Sequence, residues 1–308
     1  VAGVRTRPPA PREAILAGGY GGDAMEVPPP AEAFPPRTLI LMVLGAHARR
    51  LQGWMPIAGL IRLMDELGVD EQSVRSAISR LRRRELVVPE RRGGAAGYRL
   101  SASGQTLLAR GDARIYDRPR AAPLRDGWAL VAFSVPDRRR SDRHLLRSQL
   151  SWLGFGNLSS AVWIAPWSVE RETREMVERL GLTDHVRIFQ AHHQAFGTPA
   201  ELVAACWDLE ALRQRYDAFL DAVAPIERRL TRADGDEVAA FVDHVTLLSS
   251  WRPLPFLDAG LPAEALPADW PGLAAWEAFH RLAARLEAAA ARHVADVVGV
   301  SAEVLTPS

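Results

Sequence analysis

The stretch Asp70–Leu86, DEQSVRSAISRLRRREL, admits few folded arrangements. Val74, Ala77, Ile78 and Leu81 recur at i, i+3, i+4 and i+7, so they form one apolar stripe of a helix. Asp70 is placed to cap that helix, and Glu71 beside it suits the positive end of the helix dipole. The remaining face carries Gln72, Ser73, Arg75, Ser76, Ser79, Arg80 and Arg83. These side chains suit a major groove: Arg for guanine and phosphate, Gln for adenine, and short Ser for close approach. The sequence therefore predicts a DNA recognition helix.

A basic amphipathic helix is also what an ordinary solvated surface looks like, and here arginine is abundant. The chain has no lysine, so all 38 basic residues are arginine. Charge distribution separates the two readings better than the arginine count does. Residues 36–120 hold 16 Arg against 8 acids, a balance of +8, whereas residues 200–308 hold 9 Arg against 17 acids, a balance of −8. A compositional bias alone would spread arginine evenly, so the front of the chain is the part suited to a polyanion.

The neighbours of the stripe sharpen the expectation. Pro36 opens a helix over Arg37–Arg50 with Leu39, Ile40, Val43, Leu44 and His47 on one face. A second helix is expected over Met55–Leu67, with Ile57, Leu60, Ile61 and Met64 inward, and Gly68 ends it. Val69 and Asp70 then make the short connection of a helix-turn-helix. After the recognition helix, Leu86–Val88 and Tyr98–Leu100 flank a glycine-rich tip, which reads as a hairpin wing with Arg91 and Arg92 near its end. Ser101–Arg110 closes the unit as a helix. Three helices, a wing and a closing helix in this order predict a winged helix-turn-helix over residues 36–116.

Residues 1–35, rich in Pro, Gly and Ala, are expected to be a disordered leader. An Arg- and Pro-rich linker, Asp117–Asp126, precedes a different pattern. Strands over Trp128–Val135, Ala161–Ala165 and Val186–Gln190 alternate with helices over Arg138–Leu153 and Val169–Leu180, and a fourth strand falls within Gly154–Ser160. Residues 127–198 therefore read as a ferredoxin-like α+β domain. Residues 199–300 are expected to be mostly helical, with a proline-rich extended connection after Trp251. The fold class is α+β multidomain.

Few catalytic signatures survive inspection. Cys206 is the single cysteine, which excludes an intramolecular disulfide and a Cys-based zinc site and fits a reducing cytoplasm. No secretory signal pattern is expected. His192 and His193 are adjacent at a strand end and point to opposite faces, so no metal is expected there. There is no nucleophile elbow, Walker loop or dinucleotide fingerprint, and no cofactor is expected. In the last third, His244, Trp251, Arg252 and Asp258 group polar and aromatic side chains around the proline-rich connection. They are the candidates for a small-molecule effector.

The segments VRSAISRLRRRELV, GWALVAFSVPDRRRSDRHLLRSQLSWLGFGNLSSAVWIAPW and PFLDAGLPAEALPADWPG together resemble the PaaX family of bacterial transcriptional regulators. The resemblance covers roughly residues 36 to 300 in family order. It implies a dimeric cytoplasmic repressor on double-stranded operator DNA, released by an aryl acyl-coenzyme A such as phenylacetyl-CoA, with residues 199–300 as the effector and dimerisation domain. The middle domain also resembles the small ferredoxin-like nucleases of CRISPR adaptation, whose first strand ends in an aromatic-Asp-aliphatic triplet that holds the metal. Here that triplet reads Phe133, Ser134, Val135, and a serine hydroxyl is a poor ligand for a hard cation. Asp137 cannot slide into the vacated place, because a register shift reverses every side chain. A metal-dependent nuclease and a protein-binding adaptor remain the rival readings.

Overall fold

The computed structural model describes residues 34–51, 53–116, 122–230, 236–258 and 260–299; the expected leader, apart from its last residues, and the start of the linker lie outside these. The described chain is α+β, with a winged helix-turn-helix, a four-stranded antiparallel sheet under helices and a helical last third.

The winged unit begins with α1 (Pro36–Ala46), which ends earlier than the periodicity suggests and passes into a 3-10 turn at Ala48–Leu51. A short strand follows, β1 (Trp54–Pro56), where the sequence pattern predicts the start of the second helix. That helix, α2, spans Ile57–Glu66. The reason for the difference is tertiary: Trp54, Met55 and Pro56 pair with Arg99, Tyr98 and Gly97 of the wing, so their backbone is extended. Then come α3 (Glu71–Arg83), β2 (Val87–Arg92), β3 (Ala95–Leu100) and α4 (Ala102–Tyr116). Gly93 and Gly94 make the whole wing tip, both with positive φ, the conformation a tight two-residue hairpin loop requires. Gly97 is needed for a different reason. A Cβ there would sit 2.4 Å from the Met55 carbonyl oxygen and 2.7 Å from the Trp54 ring.

In the middle region β4 (Trp128–Phe133) leads through α5 (Arg140–Trp152) to β5 (Gly156–Ser159) and β6 (Val162–Pro166), then through α6 (Glu170–Arg179) to β7 (Val186–Ala191). The sheet order is β5-β6-β4-β7, all antiparallel, as in ferredoxin-like domains. One face buries Ala129, Val131, Phe133, Trp163 and Ala165 against Leu146, Leu150, Met176 and Val177 of α5 and α6. Trp128 and Ile164 face the other way, onto Val203 and Leu261.

The helical region comprises α7 (Pro199–Cys206), α8 (Leu209–Leu230), α9 (Glu237–Trp251), a short α10 (Leu254–Leu257) and α11 (Gly272–Val298). Between α7 and α8, Trp207 donates its indole N–H to the Gly154 carbonyl at 2.9 Å and Asp208 caps α8 at the Ala211 N–H. The proline-rich connection is not wholly extended; it holds α10 and a 3-10 turn at Ala263–Ala265.

One buried core runs through both ends of the chain. Leu39, Val43, Met64, Val74 and Leu81 of the winged unit belong to the same apolar cluster as Phe219, Phe241, Trp251, Phe279 and Leu286 of the last third.

Candidate nucleic-acid interface

The helix α3 forms as its residues require. Val74, Ala77, Ile78 and Leu81 are buried, and Asp70 accepts a hydrogen bond from the Ser73 backbone N–H at 2.9 Å. Ser73, through its side-chain hydroxyl first and its backbone N–H second, holds the Asp70 carboxyl below its ordinary value. Gln72, Ser76, Ser79 and Arg83 lie exposed along the middle of the outward face, with Arg75 and Arg80 exposed on its two flanks, while Ser73 is half-buried at the margin. Arg75 is tied to Glu71 one turn back at 2.6 Å, an exposed pair that water screens and a phosphate can displace.

The wing places its two arginines differently. Arg91 is exposed beside the tip and donates to the Gly94 carbonyl at 2.8 Å. Arg92 is drawn back onto the sheet: its guanidinium lies 5.4 Å from the Trp54 ring and 2.5 Å from the Glu90 carboxylate. Glu90 also pairs with Arg99 at 2.8 Å. The Arg92 hydrogen bond, with Arg99 adding to it, holds the Glu90 carboxyl below its ordinary value. Ile57, Arg75, Glu90, Arg91 and Tyr98 line a shallow cleft of about 400 Å³, so the first turns of α3 and the wing share one surface.

Sequence periodicity passed over several residues here. Arg82 and Arg84 are exposed cations at the end of α3, hidden from the pattern because they leave its central stripe. Trp54 and Arg99 enter only through the β1–β3 pairing, which no local pattern announces.

Of the C-terminal candidates, His244 and Trp251 are buried, and Arg252 and Asp258 are half-buried. Trp251 is 1% exposed, stacked on Phe279 with ring centroids 4.9 Å apart. Its indole N–H donates to the Ile115 carbonyl at 2.8 Å. His244 is buried with its ring 5.4 Å from that of His47, the residue that follows α1. Asp258 accepts hydrogen bonds from the Tyr216 hydroxyl at 2.8 Å and from the Gly260 N–H at 2.9 Å. Burial first, and the Asp258 charge second, push the Tyr216 hydroxyl well above its ordinary value. Arg252 is half-buried and ends α9. His244 and Trp251 thus sit on the seam between the winged unit and the last third, and none of the four lines the wing cleft.

In the middle region, Ser134 stands just past β4 and is exposed. Among the described residues no group of three or more His, Cys, Asp or Glu is gathered as a metal would need, and no helix is long and apolar enough to cross a membrane. Cys206 is half-buried, and burial pushes its thiol up, away from the reactive thiolate.

Three family models match in succession: PaaX-like protein over residues 35–104, PaaX protein central Cas2-like domain over residues 121–203, and PaaX-like protein C-terminal domain over residues 207–296. The chain is 29% identical over 242 residues to the transcriptional repressor PaaX of Escherichia coli (strain K12), a match covering 76% of this chain and 75% of that protein. Among solved structures it is similar to the uncharacterized protein Rv0674 from Mycobacterium tuberculosis, with a TM-score of 0.53 and 26% identity over 80% of this chain and 97% of that one.

Proposed function

Because the chain belongs to the PaaX family of transcriptional regulators, we propose that it represses transcription by placing α3 in the major groove of an operator and its wing on the flanking backbone. The observation that carries this reading is the exposed face of Gln72, Arg75, Ser76, Ser79, Arg80 and Arg83 sharing a surface with Arg91 at the wing tip. Arg92, committed to Glu90 and Trp54, supports the wing and contributes to the field rather than reaching for a base. A homodimer would present two such helices to a pseudo-palindromic site.

A small-molecule effector, for which the resemblance suggests an aryl acyl-coenzyme A, would act by moving the seam. His244 meets His47 at the end of α1 and Trp251 bonds to Ile115 of α4, so a shift of α9 reaches the helices that support α3. Arg252 and Asp258 flank α10, which follows α9, and belong to the same responsive segment.

The test is a fluorescence-anisotropy titration with the region upstream of the protein's own gene, repeated at several salt concentrations. A sequence-preferring complex whose affinity falls steeply with salt is the expected result. A salt-insensitive mixture with no complex would instead make the winged unit a protein adaptor. Magnesium- or manganese-dependent cleavage of the same DNA would revive the nuclease reading, against which Ser134 argues.

A further inference from the structure

A half-open cleft of about 500 Å³ lies in the middle region, at the end of β4 and against the first turns of α5. Its polar lining is Ser134, Arg140, Arg143, His144, Arg147 and Ser160, and no acidic residue lines it. The four nitrogenous side chains fall at i, i+3, i+4 and i+7 of α5, on one face. Like charges at that spacing destabilise a helix, and Arg140 also stands in the first turn, where the helix dipole disfavours a cation.

The local carboxylates do little to offset this. Asp137 pairs with Arg143 at 3.0 Å but is itself 94% exposed, and Asp142 pairs with Arg139, outside the cleft. Arg147 lies 6.0 Å from the Trp163 ring. Neither Arg140 nor Arg147 has a carboxylate partner among the described residues. With a hydroxyl at Ser134 and guanidinium groups opposite, the cleft attracts anions and repels the divalent cation that a carboxylate at that position would hold.

We propose that this cleft is a binding site for a small molecule carrying two or more phosphate groups. Guanidinium groups match phosphate oxygens with paired hydrogen bonds, and the two serine hydroxyls supply neutral donors for the remaining oxygens. A concave site of this volume suits a compact phosphorylated ligand better than a duplex, whose phosphates need an extended track. The cleft also connects to the seam: α5 ends at Trp152, whose ring packs 4.8 Å from Phe256 in α10, just beyond Trp251. An effect of the bound ligand on DNA binding, passed through this contact, rests on the repressor reading, whereas the binding itself does not.

Isothermal titration calorimetry of the full chain with inorganic pyrophosphate and with coenzyme A tests the site. Saturable binding of either probe is expected, weakened roughly tenfold or more in an Arg140→Gln/Arg147→Gln variant. Ser134→Asp, which places a carboxylate in the cleft without touching the arginines, is expected to abolish it and serves if the double variant does not fold. No saturable binding of either probe, or equal binding by the folded variants, overturns the proposal. So does loss of duplex affinity in the double variant without any binding of the probes, which would make the surface a DNA track. Operator binding by the unliganded protein is measured separately, so failure of this site leaves the gene-control reading standing, and the reverse holds.

Discussion

The Trp251 indole N–H donates to the Ile115 carbonyl oxygen at 2.8 Å, joining the end of α9 to the end of α4 inside the shared core. A buried carbonyl that loses its donor carries the full cost of desolvation. Trp251→Phe keeps most of the ring packing and removes the donor, so it is expected to destabilise the protein by about 1–3 kcal/mol in a urea titration. Because α1 packs into the same cluster, hydrogen-exchange protection is expected to fall in α1 and α9 together. Loss confined to α9 would show that the winged unit folds independently of the last third.

Tyr216 gives the protein an alkaline limit. Its hydroxyl is buried, donates to Asp258, and ionises well above the ordinary 10.0 in the folded chain. A folded value raised above the unfolded one means that the stabilisation is complete below about pH 10 and is lost as pH rises toward the folded value. Tyr216→Phe is expected to cost roughly 1.5–3 kcal/mol at neutral pH, as a hydrogen bond to a charged group does, and to flatten the alkaline limb of a stability-against-pH curve. An unchanged alkaline limb would assign it to other groups.

On α3, position should separate the arginines. Arg83 lies in the middle of the outward face, so Arg83→Ala is expected to cost about 1–3 kcal/mol at a cognate operator and less on unrelated duplex. Arg80, on one flank, is expected to behave as a phosphate contact: Arg80→Ala weakens all duplexes alike and reduces the salt slope by about one. Arg75 starts paired with Glu71, so Arg75→Ala is expected to lose less than Arg83→Ala. Equal effects at all three positions would mean that α3 is not seated in a groove.

Much of this surface was legible in the chain because it depends on local periodicity. The stripe Val74, Ala77, Ile78 and Leu81 fixes which way Arg83 points without reference to any other segment. The α+β class followed from the same kind of reasoning. What could not be read is what depends on distant pairing. Trp54–Pro56 carries no alternation long enough to mark a strand, and only its partners Arg99, Tyr98 and Gly97 make it one. The retreat of Arg92 onto Trp54 and Glu90 follows from that strand, so an arginine beside a glycine-rich tip looked more available than it is. The placement of His244 and Trp251 is likewise not local, because nothing in their own segment reports that His47 and Ile115 lie against them. The α5 cations follow no sequence motif, because only the fold brings Ser134 and Ser160 beside Arg140 and Arg147.

Glu90 offers the sharpest test of how the wing is tuned. Its carboxylate holds both Arg92 and Arg99, and both pairs are partly exposed, so the interaction restrains geometry more than it stabilises the fold. Since the folded carboxyl is held below 4.5, its contribution is present above that pH and fades as pH falls through the lowered value. Glu90→Gln removes one negative charge from the wing and releases two guanidinium groups next to the duplex. Stability at neutral pH is expected to change little. Duplex affinity is expected to rise severalfold at low salt, with the salt slope steeper by about one, and the gain should appear on unrelated sequences as well as on the operator, because a wing contacts phosphates rather than base edges. An unchanged slope would show that the wing stands clear of the backbone, and recognition would then rest on α3 alone.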